Sequence, residues 1–318
     1  MSEMSAPARP EPTVEDVLRD ELAQGDAVIG TIAPILRHLL ANDDQSLFND
    51  EVVARVRGMV DHLARQVLDA VEDAQGAGAR HDHDPAAVDQ VIATLVERAA
   101  LLNHIHAQAL EFQLGERLQA RIALDPVLSP LLQALIASPD STTAASAMAL
   151  LAAQARYVQA QRRMQLPVGE LPADLFHAIL QTVRGLEAEP EVLAQAEAAI
   201  RTGYDEGRSR LGLMARLVMS MGGGATAALD LSHAGVGLFL TALSLGAGQD
   251  RDLTALAAHE GQLARLALAL RAAGVRPENV EEQFLAIHPD VSLPEGFETL
   301  GADRAAALLA RSFAGAGR

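Results

Sequence analysis

Cysteine, tryptophan and lysine are all missing from this chain of 318 residues, and aromatic side chains make up only 3% of it. Without cysteine there are no thiol nucleophiles, disulfides, thiolate zinc sites or cysteine-ligated clusters. Every one of the 25 basic residues is arginine. The lack of lysine excludes Schiff-base chemistry, the lysine of phosphate-binding loops and that of protein kinases. Codon bias accounts for the missing lysine more readily than function does. The shortage of aromatics leaves the core to leucine, alanine, valine and isoleucine, and the first two are strong helix formers.

What is present is apolar and acidic. Hydrophobic residues are 49% of the chain, too many for a disordered polymer, and the formal net charge is −17. Nucleic-acid binding rests mainly on neutralising phosphates with basic groups, so no nucleic-acid partner is expected. The acidity is uneven: residues 1–84 hold 17 of the 42 acidic side chains and only 7 of the arginines. A protein partner, cationic if this quarter is what it meets, or a second copy of the chain is the expectation. Residues 1–12 are polar and proline-bearing, with none of the apolar character of a secretory signal, so a cytoplasmic location is expected.

Helical spacing dominates the rest. Thr13 with Glu15 and Asp16 reads as a helix start, ended at Gly25-Asp26 and followed by a second helix to Ala41 with a possible kink at Pro34. Val52, Val56, Met59, Val60, Leu63, Val67 and Val71 form one apolar stripe. Glycine, charge and proline then cluster over 76–85, the best linker in the chain. The organisation expected is a lead-in over 1–12, an acidic helical subdomain over 13–75, that linker, a main helical domain over 86–314 and a tail over 315–318. From Ala86 to Leu124 no proline intervenes, and an unbroken helix there would be roughly 55–60 Å long. A further helix is predicted over Asp252–Ala273, with His259 in register with Leu256, Leu263 and Leu266 as a partly buried core histidine. The fold class is all-α, an irregular multi-helix bundle or short helical array. Proline-bearing turns between short helices make a HEAT-like solenoid the alternative, although no fixed repeat aligns.

Between Leu217 and Gln249, Asp230 is the only charged side chain, and the segment is rich in glycine. It is read as a buried central helix, with a membrane anchor as the alternative, because neither apolar half reaches a clean span. Gly222-Gly223-Gly224 lacks the strand before it and the Lys-Ser/Thr after it that a phosphate loop requires.

The histidines are the remaining chemistry. His81, Asp82, His83 and Asp84 offer imidazoles and carboxylates for a divalent cation, but a solvated linker is the better reading, and no metal or cofactor is expected. Glu97, His104 and Glu111 recur every seven residues on one helix face. They are too far apart for one ion to touch all three, and a polar or partner-facing flank is predicted. His259-Glu260 begins like the zincin helix, but Leu263 stands where its second histidine would be. No Gly-x-Ser-x-Gly elbow occurs. The sequence thus predicts a non-enzymatic helical interaction module, a scaffold, adaptor or regulator. The alternatives are a membrane-associated protein anchored through 217–249, or a small-ligand binder or enzyme with an apolar pocket between helices.

Overall fold

The computed structural model describes residues 12–41, 51–76 and 83–313. Among these the fold is all-α, with fourteen α-helices and no strand. In chain order they are α1 (Val14–Ala41), α2 (Glu51–Ala74), α3 (Pro85–Val96), α4 (Ala99–Ile122), α5 (Pro130–Ile136), α6 (Ser141–Arg162) and α7 (Ala173–Arg184). Then follow α8 (Pro190–Thr202), α9 (Arg210–Ser220), α10 (Leu231–Ala247), α11 (Arg251–Leu256), α12 (Leu263–Ala272), α13 (Pro277–Ile287) and α14 (Ala302–Phe313). Local chemistry sets many of the starts. Asp84, Ser129, Asp140, Ser209, Asp230 and Asp250 each accept a backbone N–H in the first turn, worth about 1 kcal/mol apiece. Pro85, Pro130, Pro190 and Pro277 occupy first-turn positions that need no N–H.

Two hydrophobic clusters organise the packing. One joins the apolar stripe of α2 to α3, α7 and the first half of α4, where Leu101, Leu102 and Ile105 are fully buried. The other gathers α5, α6 and α9 to α14 around the second half of α4, through Leu114 and Leu118. Helix α1 contributes to both, Leu18 and Leu22 to the second and Ala33 and Leu36 to the first. Helix α4 therefore runs through the middle of the molecule and is buried on nearly every side. That placement decides where its polar residues go.

Three helix boundaries differ from the sequence expectation, each for a visible reason. Gly25 does not end a helix: α1 continues through it, because Gln262 packs against the bare Cα and donates its Nε2–H to the Gly25 carbonyl at 2.7 Å. Pro34 is also carried inside α1; the carbonyl its ring leaves unpaired belongs to Gly30, which is exposed to water. The long 86–124 segment breaks at Glu97-Arg98 without glycine or proline. Arg37 from α1 donates to the carbonyls of Val96 and Glu97, at 3.2 and 3.3 Å, and so satisfies the groups that the break releases. The predicted 252–273 helix is two helices, α11 and α12. His259 between them is exposed rather than in the core, where its Nδ1 accepts the Gly261 N–H at 3.2 Å.

Within the nearly uncharged segment, α10 is packed by α4, α5, α9, α11 and α12, and residues 237–244 are buried without interruption. Met219 and Leu245 are its large exposed apolar side chains. Gly235 takes φ of 74°, which a side chain would strain, and bends α10 against Ser129. No single helix among the described residues is long and apolar enough to cross a membrane; the pair 222–229 and 231–247 passes that test only together, bent by 113°.

Candidate functional site

Helix α4 presents His104, Gln108 and Glu111 on one face, at the i, i+4 and i+7 spacing that aligns side chains along a helix. The sequence predicts the face of Glu97, His104 and Glu111 as a polar or partner-facing flank. The structure corrects this for two of its three members: His104 is 0% and Glu111 3% exposed, while Glu97 lies beyond the break at the surface. The cause is the depth of α4, whose partly exposed residues here, Asn103, His106, Leu110 and Gln113, lie on a different face.

A charge buried this way needs partners, and distant elements supply them. Arg210, the first residue of α9, donates from Nη1 to Glu111 Oε1 at 2.7 Å and from Nη2 to Glu111 Oε2 at 3.0 Å. Arg251, opening α11, donates to Oε2 as well, at 2.9 Å. Arg210 Nη2 also reaches the Gln108 Oε1 at 2.9 Å, and its guanidinium lies 3.6 Å from the centre of the Tyr157 ring on α6. Tyr157 in turn donates its hydroxyl proton to the Gln108 carbonyl at 3.0 Å. Burial alone would raise the Glu111 carboxyl; Arg210 and Arg251 outweigh it and hold the group at about 2. Burial, then the neighbouring Glu111 charge, pushes the Tyr157 phenol far above its ordinary value.

Beside this triad, His104 Nδ1 faces Asp252 Oδ2 at 2.8 Å. Burial works against the Asp252 charge, but His104 and then Arg251 keep its carboxyl below the usual range. The pair resembles two-thirds of a hydrolytic triad. It lacks the remaining third: His104 Nε2 has no hydrogen-bond partner among the described residues and the ring is sealed from solvent. This cluster holds helices together from the inside and leaves no route for a substrate to reach the imidazole.

Two concavities lie near it. A partly open cavity of about 250 Å3 sits between α4, α6, the 165–170 segment and the start of α9, against Tyr157 and Arg210. A wider groove of about 590 Å3 runs between α2 and α8. Its floor includes Phe176 and Tyr204, stacked with ring centres 3.6 Å apart, together with Ile200 and Val168. Asp69 and Asp73 are the charged residues lining it among the described residues. The field is negative beyond the walls too: burial, then Glu206, Asp174 and Asp205, push the Tyr204 phenol up to about 12.

Of the four linker residues considered as metal ligands, His81 and Asp82 lie outside the described residues. His83 is buried against α2, its Nε2 3.0 Å from Asp69 and its Nδ1 2.9 Å from Glu72. The two carboxylates sit at opposite ring nitrogens and converge on no common point. Asp84 caps α3 through the Ala86 N–H at 3.1 Å. Among the described residues, no three histidine or carboxylate groups are arranged to hold a metal ion. Sequence reasoning did not find Arg210, Arg251, Asp252, Gln108 or Tyr157; the one signal for them was the pair of charged positions within the apolar period of α4.

Comparison with protein-family models, with curated proteins and with solved structures found no match to this chain in any of the three, so the function rests on its own geometry.

Proposed function

We propose that this chain is a non-catalytic helical interaction module whose partner presents a basic, amphipathic segment to the groove between α2 and α8. The observation that supports this reading is the groove itself, an apolar floor of stacked Phe176 and Tyr204 rimmed by Asp69 and Asp73 with no arginine among the described lining residues. A helix laying leucine-like side chains on that floor would place flanking lysine or arginine beside the two aspartates. Charge of this kind steers encounter and sets specificity more than it adds affinity, so binding should weaken with salt. The acidic character of the first 84 residues fits the same partner.

The test is selection from a random peptide display library on the full chain, in parallel with an Asp69→Arg, Asp73→Arg variant. Peptides enriched on the wild-type chain should carry basic residues flanking apolar ones at helical spacing, and should be lost on the variant. Enrichment of peptides without that basic pattern, or their equal capture by the charge-reversed chain, would remove the groove as the binding face.

A further inference from the structure

Helix α1 carries an inference independent of the groove. Its inner face packs into both clusters, through Leu18, Leu22, Ala33 and Leu36. Its outer face is apolar as well. Val28, Ile35 and Leu39 are 47%, 53% and 40% exposed, and their positions fall within about 40° of one another around the helix. Ala27, Gly30, Thr31 and Pro34 are exposed beside them. A surface helix ordinarily sets charges on the side away from the core, and α1 does so in its first half, with Arg19, Asp20 and Glu21. From Ala27 to Leu40 the one formally charged residue, with histidine neutral, is Arg37, and it is turned to the Val96 and Glu97 carbonyls. A contiguous uncharged apolar face of this kind marks a contact surface.

The order of side chains along this face identifies what covers it. Ala27, Thr31, Ile35 and Leu39 form one ridge at i, i+4 spacing, and all four are exposed. The ridge is small in its first half and large in its second. A second copy laid antiparallel, with the two-fold axis midway between Thr31 and Ile35, sets Leu39 of each copy over Ala27 of the other and Ile35 over Thr31. Large meets small at every step, which is the self-complementarity that an isologous contact requires. Charge agrees with a second copy. Each chain carries −17, so two copies repel wherever acidic surfaces face each other, and this face has no acid. A basic partner would find no carboxylate here to pair with. We propose that the chain forms a homodimer through the outer face of α1, antiparallel, in the register Leu39 to Ala27 and Ile35 to Thr31. The ridge runs roughly 18 Å along the helix, which places the contact among the small, reversible interfaces.

Sedimentation equilibrium of the full chain, from about 1 to about 500 μM, reads the association directly. A monomer–dimer equilibrium is expected within that range, and it should tighten with salt, which screens the repulsion between copies. Binding at the groove responds to salt in the opposite direction. Ile35→Glu should weaken the dimer by about a hundredfold or more, because it sets a carboxylate from each copy into the apolar contact. Position 35 is exposed in the monomer, so Tm at a dilution where the wild type is monomeric should stay the same. The register is tested by exchange. Ala27→Leu sets leucine against leucine, Leu39→Ala sets alanine against alanine, and each should weaken the dimer by about tenfold. The double variant again places one leucine opposite one alanine, and should return to within about threefold of the wild type. A chain that stays monomeric at about 500 μM, or an Ile35→Glu variant that dimerises as the wild type does, overturns the proposal. So does a double variant weakened by the product of the single effects, which would place any dimer in another register.

Discussion

Arg210 and Glu111 lie 99 residues apart in sequence and meet end to end inside the protein, guanidinium to carboxylate, through two hydrogen bonds of 2.7 and 3.0 Å. Each is essentially sealed from water, and Arg251 shares the same carboxylate. The pair ties α9 to α4, and Arg251 ties α11 to the same residue. Removing one member of such a cluster costs more than the cluster contributes, because the others stay buried with their charge uncompensated. Glu111→Gln is therefore expected to lower unfolding stability by about 3–5 kcal/mol. Replacing Glu111 and Arg210 together, by leucine and methionine, should cost less than the sum of the single changes. Urea unfolding of wild type, Glu111→Gln, Glu111→Leu, Arg210→Met and the double variant checks this; a Glu111→Gln loss below about 1 kcal/mol would show that the buried charges are already solvated.

The same carboxylate sets an acid limit. Glu111 is held at about 2 in the fold, against an ordinary value of 4.5. The unfolded chain therefore binds this proton first, and between those values it carries more protons than the native state. The stabilisation is complete above about pH 4.5 and disappears as pH falls towards 2. Comparing wild type with Glu111→Gln across that window, the stability difference should shrink as the solution is acidified. A difference that stays constant from pH 5 to pH 2 contradicts the assignment.

His288 acts in a higher window with the same sign. It closes α13 at 4% exposure, with Nε2 unpaired among the described residues, and burial followed by Arg117 pushes its imidazole down to about 4; Arg121 and His259 act in the same direction and Glu260 opposes them. From pH 6.5 to about 4 the unfolded chain takes up this proton while the native state refuses it, so stability should fall with acidity there. His288→Gln removes the titration. Stability measured at half-unit steps should slope less in that variant than in wild type between pH 6.5 and 4, and equal slopes would exclude the histidine as the source.

How much of this was legible in the sequence follows from what each residue touches. The α2 stripe from Val52 to Val71 was readable because its partner is a generic apolar surface, and periodicity records burial of that kind directly. Gly25 misled because local sequence favours a stop there, whereas the deciding contact comes from Gln262. The break at Glu97-Arg98 was invisible for the same reason, since Arg37 makes it tolerable from another helix. His104 and Glu111 showed their common face but not its depth. A charged residue at helical spacing looks alike on a solvated flank and in a core, until the arginines that compensate it are placed in space. The groove follows the same logic, with Asp69 from α2 and Tyr204 after α8 becoming neighbours only on folding.

A last contact tests how tightly the first cluster is seated. Gly58 on α2 faces Met164, whose backbone adopts a left-handed φ of 55° unusual for a side-chain-bearing residue. A Cβ at position 58 would lie 2.5 Å from the Met164 Cβ and 2.9 Å from its carbonyl oxygen. Backbone cannot swing aside as a flexible side-chain tip can. In an unobstructed helix Gly→Ala stabilises by roughly 0.5–1 kcal/mol, so the sign of Gly58→Ala is diagnostic. It is expected to destabilise by about 1–3 kcal/mol, the cost of overpacking. Met164→Gly frees the strained backbone and removes one of the two colliding atoms, so it should recover part of that loss in the double variant, as a non-additive coupling in the cycle. Purely additive effects, or a stabilising Gly58→Ala, would mean that α2 and the turn after α6 do not approach this closely in solution.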